Sequence, residues 1–142
     1  MTLILASGSA GRLAMLRAAG VDVTAHVSAV DEDSIKQAMV GVGAKPRDIA
    51  DALAEAKAIK VSRKFPGELV LGCDQILVTV DGELLDKPTN ADDAIRHLQM
   101  LSGSTHRLVS AAVICEAGAP VWRVVDTAKM TMRVLRQDFI EE

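Results

Sequence analysis

The run LVLGCDQILVTV, from Leu69 to Val80, restricts the fold more than any other stretch of the chain. It is almost continuously apolar and is broken only by Gly72, Asp74, Gln75 and Thr79. Such a run reads as a β-strand buried on both faces, and the other segments are placed around it. Asp74 is its informative residue. A carboxylate inside an apolar strand is costly unless it is paired, metal-bound or protonated. Asp74 stands either at a strand end beside a functional cleft or as a structural acceptor, and the clustering of perturbed carboxylates at functional sites favours the first.

Asp81-Gly82, between ILVTV and ELL, is a two-residue hairpin signal. The returning strand ends at Asp86-Lys87-Pro88, so the hairpin can bring Asp86 and Lys87 back toward Asp74. A proline that closes a strand also explains Pro88 alone.

The opening MTLILASGSAGRLAMLRAAG has the same economy. Thr2 to Ala6 is long enough for a buried strand. Ser7, Gly8 and Ser9 form a small, flexible turn. Leu13, Met15 and Leu16 then recur at helical spacing, with Arg12 in the first turn and Gly20 as a stop. Strand, turn and helix place free backbone N–H groups at a helix N-terminus, where anions bind. Arg12 adds a forked cation suited to phosphate. The alternative is an ordinary structural turn, since Gly and Ser are common turn residues. Neither GxGxxG nor GxxxxGK[ST] is present.

Between these stretches, VDVTAHVSAV alternates and reads as a second strand, with Val21, Val23 and Ala25 on one face. His26 has no partner at ligand spacing. Asp31, Glu32 and Asp33 form an acidic knot, read either as a solvated helix start or as a carboxylate source for a divalent cation. Gly41 and Gly43 end a short helix over residues 34–44. Pro46 opens another, with Ile49, Leu53, Ala56 and Lys60 on one face and Asp48, Asp51 and Glu55 opposite. Lys57 lies at the border of the apolar stripe, where it either snorkels to solvent or points into an adjoining cleft.

After Pro88, Thr89 or Asn90 caps a helix with Asp92 and Asp93 in its first turn. Ala94, Ile95, Leu98 and Leu101 form its buried stripe, and Gly103 stops it. His97 and His106 read as structural. Arg107 to Cys115 is a strand and Ala117-Gly118-Ala119-Pro120 a turn. Val121 to Leu135 alternates, with Trp122, Val124, Ala128, Met130, Met132 and Val134 facing one way, as in a long half-buried strand. A helix begins at Gln137.

Bulk properties narrow the functional classes. At 142 residues the expectation is a single domain, 1–142. Aromatic residues are only 2% of the chain, so the core is aliphatic. A net charge of −3 disfavours nucleic acid and anionic membrane as general partners. Cys73 and Cys115 lack metal or redox spacing and read as buried thiols in a reducing compartment. With no apolar run of transmembrane length and no basic leader, the expected location is cytoplasmic.

LASGSAGRLAML, VDED, LAEAKA, LGCDQ, DGELLDKP and LSGSTH, in this order, resemble the Maf family of nucleoside triphosphate pyrophosphatases, also called septum formation inhibitor Maf. The resemblance covers essentially the whole chain. It implies a three-layer α/β/α fold of the inosine-triphosphate-pyrophosphatase type, with a mixed central sheet and a cleft between two lobes. It implies hydrolysis of nucleoside triphosphates to monophosphate and pyrophosphate with a divalent cation, Mg²⁺ or Mn²⁺. By motif, Asp74 is the proton acceptor and Lys57 and Lys87 are the catalytic cations. Ser7, Ser9, Arg12 and Gln75 contact substrate, and Glu32 with Asp74 holds the metal. Family members often form homodimers.

Three departures stand out. Ala10 and Gly11 replace a proline and a large or basic residue of the family signature. Asp74-Gln75 matches the branch acting on 7-methyl-GTP. The family pattern continues beyond Glu142, which raises the alternative of a catalytically impaired nucleotide-binding or division-regulating protein or fragment.

Overall fold

The computed structural model describes residues 2–85 and 88–140. In chain order the elements are β1 (Leu3–Leu5), α1 (Ala10–Ala18), β2 (Val23–Ala25), α2 (Glu32–Gly41), α3 (Pro46–Ser62) and β3 (Leu69–Val78). There follow β4 (Leu84–Leu85), α4 (Ala91–Leu101), β5 (Thr105–Glu116), β6 (Ala119–Thr131) and α5 (Gln137–Ile140). The strands form one mixed sheet in the order β2-β1-β3-β5-β6, with β4 paired to β3. The chain divides into two compact units, Met1–Asp74 with Ser110–Val125, and Gln75–Val109 with Asp126–Glu142.

The first unit is built on parallel pairing. β1 pairs with β2 on one side and with β3 on the other, in the registers Leu3↔Val23 and Leu3↔Leu69. Side chains alternate across a strand, so Leu71 and Cys73 face one way and Val70, Gly72 and Asp74 the other. Leu5, Val23 and Leu71 form a core with Leu13 and Leu16 of α1, and with Cys73, Ala112 and Ile114. The opposite face receives α3. A Cβ on Gly72 would lie 2.9 Å from the Ala58 methyl, so the helix backbone rests on the strand there. Helices thus cover both faces of this part of the sheet, as the buried run required.

Two expectations about helix faces are corrected. Met15 is exposed, and only Leu13 and Leu16 of its trio turn inward. The buried side of α3 is Ile49, Ala50, Leu53, Ala54, Lys57, Ala58, Val61 and Ser62, while Lys60 is exposed. The stripe is wider than a single line of residues because Gly72 lets the α3 backbone come close to the sheet around Ala54 and Ala58. Lys57 is therefore inside it.

In the second unit, Leu77↔Leu85 and Val78↔Leu84 pair antiparallel, so a hairpin forms, but not with the expected two-residue turn. The Thr79 N–H donates to the Glu83 carbonyl at 2.8 Å and the Gly82 N–H to the Thr79 carbonyl at 2.9 Å, which closes a three-residue loop with Gly82 at φ +86. Asp86 and Lys87 lie outside the described residues. Asn90 caps α4 by accepting a hydrogen bond from the Asp93 N–H. His97 is buried, its Nε2 3.5 Å from Asp93 Oδ1. His106 is buried too, and its Nδ1 has no partner among the described residues.

β5 and β6 are joined through Ala117 (φ 52) and Gly118 (φ 78). Positive φ at both positions is the signature of the type I′ turn that links antiparallel strands. The half-buried reading of β6 does not hold. All its residues are exposed except Val125, which is half-buried, and Trp122 keeps 52% of its surface. The alternating pattern is present, but β6 is the edge strand of the sheet, and alternation yields burial only where a second layer packs against one face.

Candidate active site

All the groups brought together here belong to the first unit. β1 runs in the middle of three parallel strands, and ligand sites in open α/β sheets gather beyond the carboxyl ends of such strands. β1 leads there into Ser7–Ser9. β2 leads toward Asp31. The Ala6 N–H donates to the Leu71 carbonyl at 2.8 Å, so Asp74, three residues further along β3, stands at the level of the Ser7–Ser9 turn.

The turn is self-organised. Ser7 Oγ accepts from the Ser9 N–H at 3.0 Å, and Ser9 Oγ accepts from the Arg12 N–H at 3.2 Å, which caps α1. The first turn of α1 carries no acidic side chain, so its positive end is not neutralised locally. Both hydroxyls keep a hydrogen to donate. Arg12 Nη1 donates to the carbonyl of Cys73 at 3.3 Å. The guanidinium is thereby held one residue from Asp74.

Asp31 caps α2. It accepts from the Ser34 N–H at 3.1 Å and the Ser34 hydroxyl at 2.7 Å, and these bonds hold its carboxyl below the usual aspartate range. Of the two readings open for the acidic knot, Asp31 realises the helix start, while Glu32 turns toward Lys57. Lys60 Nζ donates to the Ala29 carbonyl and ties the approaching loop to α3.

Lys57 Nζ lies 2.9 Å from Glu32 Oε1 and 3.2 Å from Asp74 Oδ1. The side chains are 8% exposed for Lys57, 13% for Asp74 and 49% for Glu32. One buried ammonium is shared by two carboxylates from different elements, and of the two readings open for Lys57 the inward one is correct. Asp74 Oδ2 is buried and has no partner among the described residues. Burial pushes the Asp74 carboxyl above its ordinary value of 3.8, against the opposing pull of Lys57 and Arg12. Burial likewise pushes the Cys73 thiol up, which makes it a poor nucleophile at neutral pH.

Among the described residues no group of three or more His, Cys, Asp and Glu side chains is arranged to hold a metal ion. Glu32 and Asp74 are nevertheless a fitting donor set for Mg²⁺ or Mn²⁺. Both are hard oxygen ligands, one oxygen of Asp74 is buried and unpartnered, and Mg²⁺ is commonly held by one or two carboxylates with the rest of its shell from water and substrate phosphate. Gln75, next along β3, is exposed and belongs to the second unit. Lys87 lies outside the described residues.

Gly72 is the positioning residue that motif reasoning left unassigned. The available signal was a glycine inside a strand, which marks close approach by another backbone. That approach lowers α3 onto β3 and lets Lys57 reach Asp74.

The fold defines the class first. It is similar to that of the nucleoside-triphosphatase, or dITP/XTP pyrophosphatase, of Mycobacterium abscessus, with a TM-score of 0.55 over 91% of this chain and 72% of that one. At 16% identity the likeness is one of fold. The family description Maf-like protein matches residues 2–142, and the chain belongs to the Maf family. A nucleoside triphosphate pyrophosphatase of Sphingopyxis alaskensis is 47% identical over 142 residues, which is 100% of this chain and 72% of that protein. A 7-methyl-GTP pyrophosphatase of Mesorhizobium japonicum is 51% identical over 138 residues, 97% of this chain and 69% of that protein.

Proposed function

We propose that this chain is a nucleoside triphosphate pyrophosphatase, which hydrolyses the α–β phosphoanhydride to a nucleoside monophosphate and pyrophosphate. The observation that carries this reading is Lys57, buried between Glu32 and Asp74, with the second oxygen of Asp74 free to accept a proton. Membership of the Maf family and the names of the relatives support the same chemistry.

The residues divide the work. Ser7, Ser9 and the N-terminal amides of α1 bind phosphate oxygens, as a helix N-terminus suits an anion. Arg12 and Lys57 offset the negative charge that builds on the departing pyrophosphate, with Lys87 assigned the same part from the KP motif. Asp74 Oδ2 orients the attacking water and takes its proton. Glu32 and Asp74 would hold Mg²⁺ or Mn²⁺, which supplies Lewis-acid polarisation of the phosphoryl oxygens. Water attacks in line, the phosphoanhydride bond breaks, and pyrophosphate leaves with the bonding electrons. No covalent enzyme intermediate is needed.

The Asp74-Gln75 pair supports a modified guanine nucleotide as the preferred substrate, with Gln75 among the substrate contacts. Relatives carry both the general and the 7-methyl-GTP name at comparable identity. The family resemblance further supports a cytoplasmic enzyme able to form a homodimer; among the described residues no helix is long and apolar enough to cross a membrane. The test is incubation of the chain with standard nucleoside triphosphates and 7-methyl-GTP, with Mg²⁺ and with Mn²⁺, resolving the products by anion exchange. Monophosphate and pyrophosphate in equal amounts support the reading. Nucleotide binding without turnover would favour the catalytically impaired alternative instead, and release of orthophosphate as first product would refute α–β cleavage.

A further inference from the structure

We infer that Lys57 is the resident cation of the site: its ammonium holds the place between Glu32 and Asp74 that a divalent ion takes up when a nucleotide arrives. The inference rests on the reading above, in which those two carboxylates hold the metal.

The geometry sets the terms of the exchange. Lys57 Nζ engages one oxygen of each carboxylate, at 2.9 and 3.2 Å. A divalent ion joining both carboxylates competes for the same negative charge, so it must loosen the ammonium from at least one of them. Lys57 is 8% exposed and cannot simply rotate into water. A buried cation deprived of its partners carries a heavy desolvation penalty. Metal alone is therefore opposed by the lysine it displaces. A triphosphate changes the balance, because its oxygens give the displaced ammonium a new anionic partner near the α1 N-terminus. Metal and nucleotide then bind with positive coupling, and the coupling is reciprocal.

Two details agree with this arrangement. Asp74 Oδ1, which Lys57 holds, is the oxygen the ion would take over, and Oδ2 stays open to the attacking water. Glu32 is half-exposed and sits in the first turn of α2, so it can follow either cation. The exchange trades two ion pairs for metal–carboxylate and ammonium–phosphate contacts, with no covalent bond made or broken.

The test measures Mn²⁺ binding by the electron paramagnetic resonance signal of the free ion. It uses the full chain at fixed pH, with and without an α,β-methylene triphosphate analogue. Lys57→Met and Lys57→Gln should bind Mn²⁺ alone about tenfold or more tightly than wild type, since a unit charge in contact with the site is removed. The analogue should raise Mn²⁺ affinity in wild type and much less in either variant. Equal or weaker Mn²⁺ affinity in folded variants overturns the inference. Glu32→Gln and Asp74→Asn in the Lys57→Met background separate the two claims. Loss of Mn²⁺ binding there upholds the metal-ligand reading whatever Lys57 does, and unchanged binding overturns that reading and the inference with it. Should both Lys57 variants unfold, the wild type decides. Its Lys57 ¹⁵Nζ resonance should shift when Mg²⁺ and the analogue are added together, and an unmoved resonance overturns the exchange.

Discussion

A Cβ placed on Gly72 would lie 2.1 Å from the carbonyl oxygen of Ala54. No side chain fits in that gap, because the obstacle is helix backbone. Gly72→Ala should therefore push α3 off β3 and destabilise the protein by about 1–3 kcal/mol, the range for overpacked cores. The contrasting change is Gly41→Ala, at the end of α2 with no atom within 4 Å of the added methyl. It should be neutral or stabilising by roughly 0.5 kcal/mol. Urea midpoints of the two variants check the pair, and a Gly72→Ala midpoint equal to wild type would contradict the close approach.

Replacing Asp74 by Asn should lower activity and change stability in a pH-dependent way. The Asp74 carboxyl is raised above 3.8 by burial, so the folded state holds its proton more tightly than the unfolded chain does. The sign follows from linkage. That contribution is fully present below 3.8 and is lost as pH rises through the folded value. The melting temperature of Asp74→Asn relative to wild type should thus climb between pH 3.5 and neutrality. A gap that narrows over that range would show that burial is not the governing effect.

The same shift bears on turnover. With Asp74 as proton acceptor, the acid limb of kcat/KM should bend at a pH above 3.8, because the base works only when ionised. Asp74→Asn should lower kcat by about 10²–10⁴-fold and abolish that limb. Steady-state rates across pH on the preferred nucleotide decide it, and a limb that persists in the variant assigns the base elsewhere.

Arg12 is half-buried and anchored to the Cys73 carbonyl. Ala10 and Gly11 contribute no charge to the turn, so Arg12 is its sole cationic side chain. Arg12→Ala should raise KM for nucleotide about tenfold or more, as expected for a lost charge-assisted phosphate contact. Arg12→Lys should recover only part of it, because a point charge cannot fork. Unchanged KM in Arg12→Ala would remove it from the phosphate site.

Arg123 of β6 joins Asp51 at 2.6 Å and Glu55 at 2.7 Å. These groups are partly exposed, so Arg123→Ala should destabilise by no more than about 1 kcal/mol, with the difference shrinking in high salt. Chemical denaturation at low and high ionic strength measures this. A much larger, salt-independent loss would mean that the arginine stem packs as core.

Much of this was legible in the sequence. Gly82 announced the hairpin, Asn90 the cap of α4, and Ala117-Gly118 the tight turn, because each requirement is local. Asp74 was legible too, since an ionisable group in an apolar strand conflicts with its surroundings wherever the strand lies. Lys57 was not decided, because the inward stripe of α3 depends on where the helix rests on the sheet, and that depends on Gly72. β6 was misread for a related reason: its alternation describes the strand, whereas burial depends on a second layer.

Sequence by itself determined the elements, their turns and the chemical inventory of the site, through backbone preferences and hydrophobic spacing that act over a few residues. Tertiary structure decided the pairing of charges. Glu32, Lys57 and Asp74 are far apart in the chain, and they meet because parallel pairing of β1 with β3 sets the level of Asp74 while the missing side chain at Gly72 lets α3 descend onto it. Whether a buried lysine faces one carboxylate, two, or water is a question of distances between elements, and those distances exist only in the folded chain.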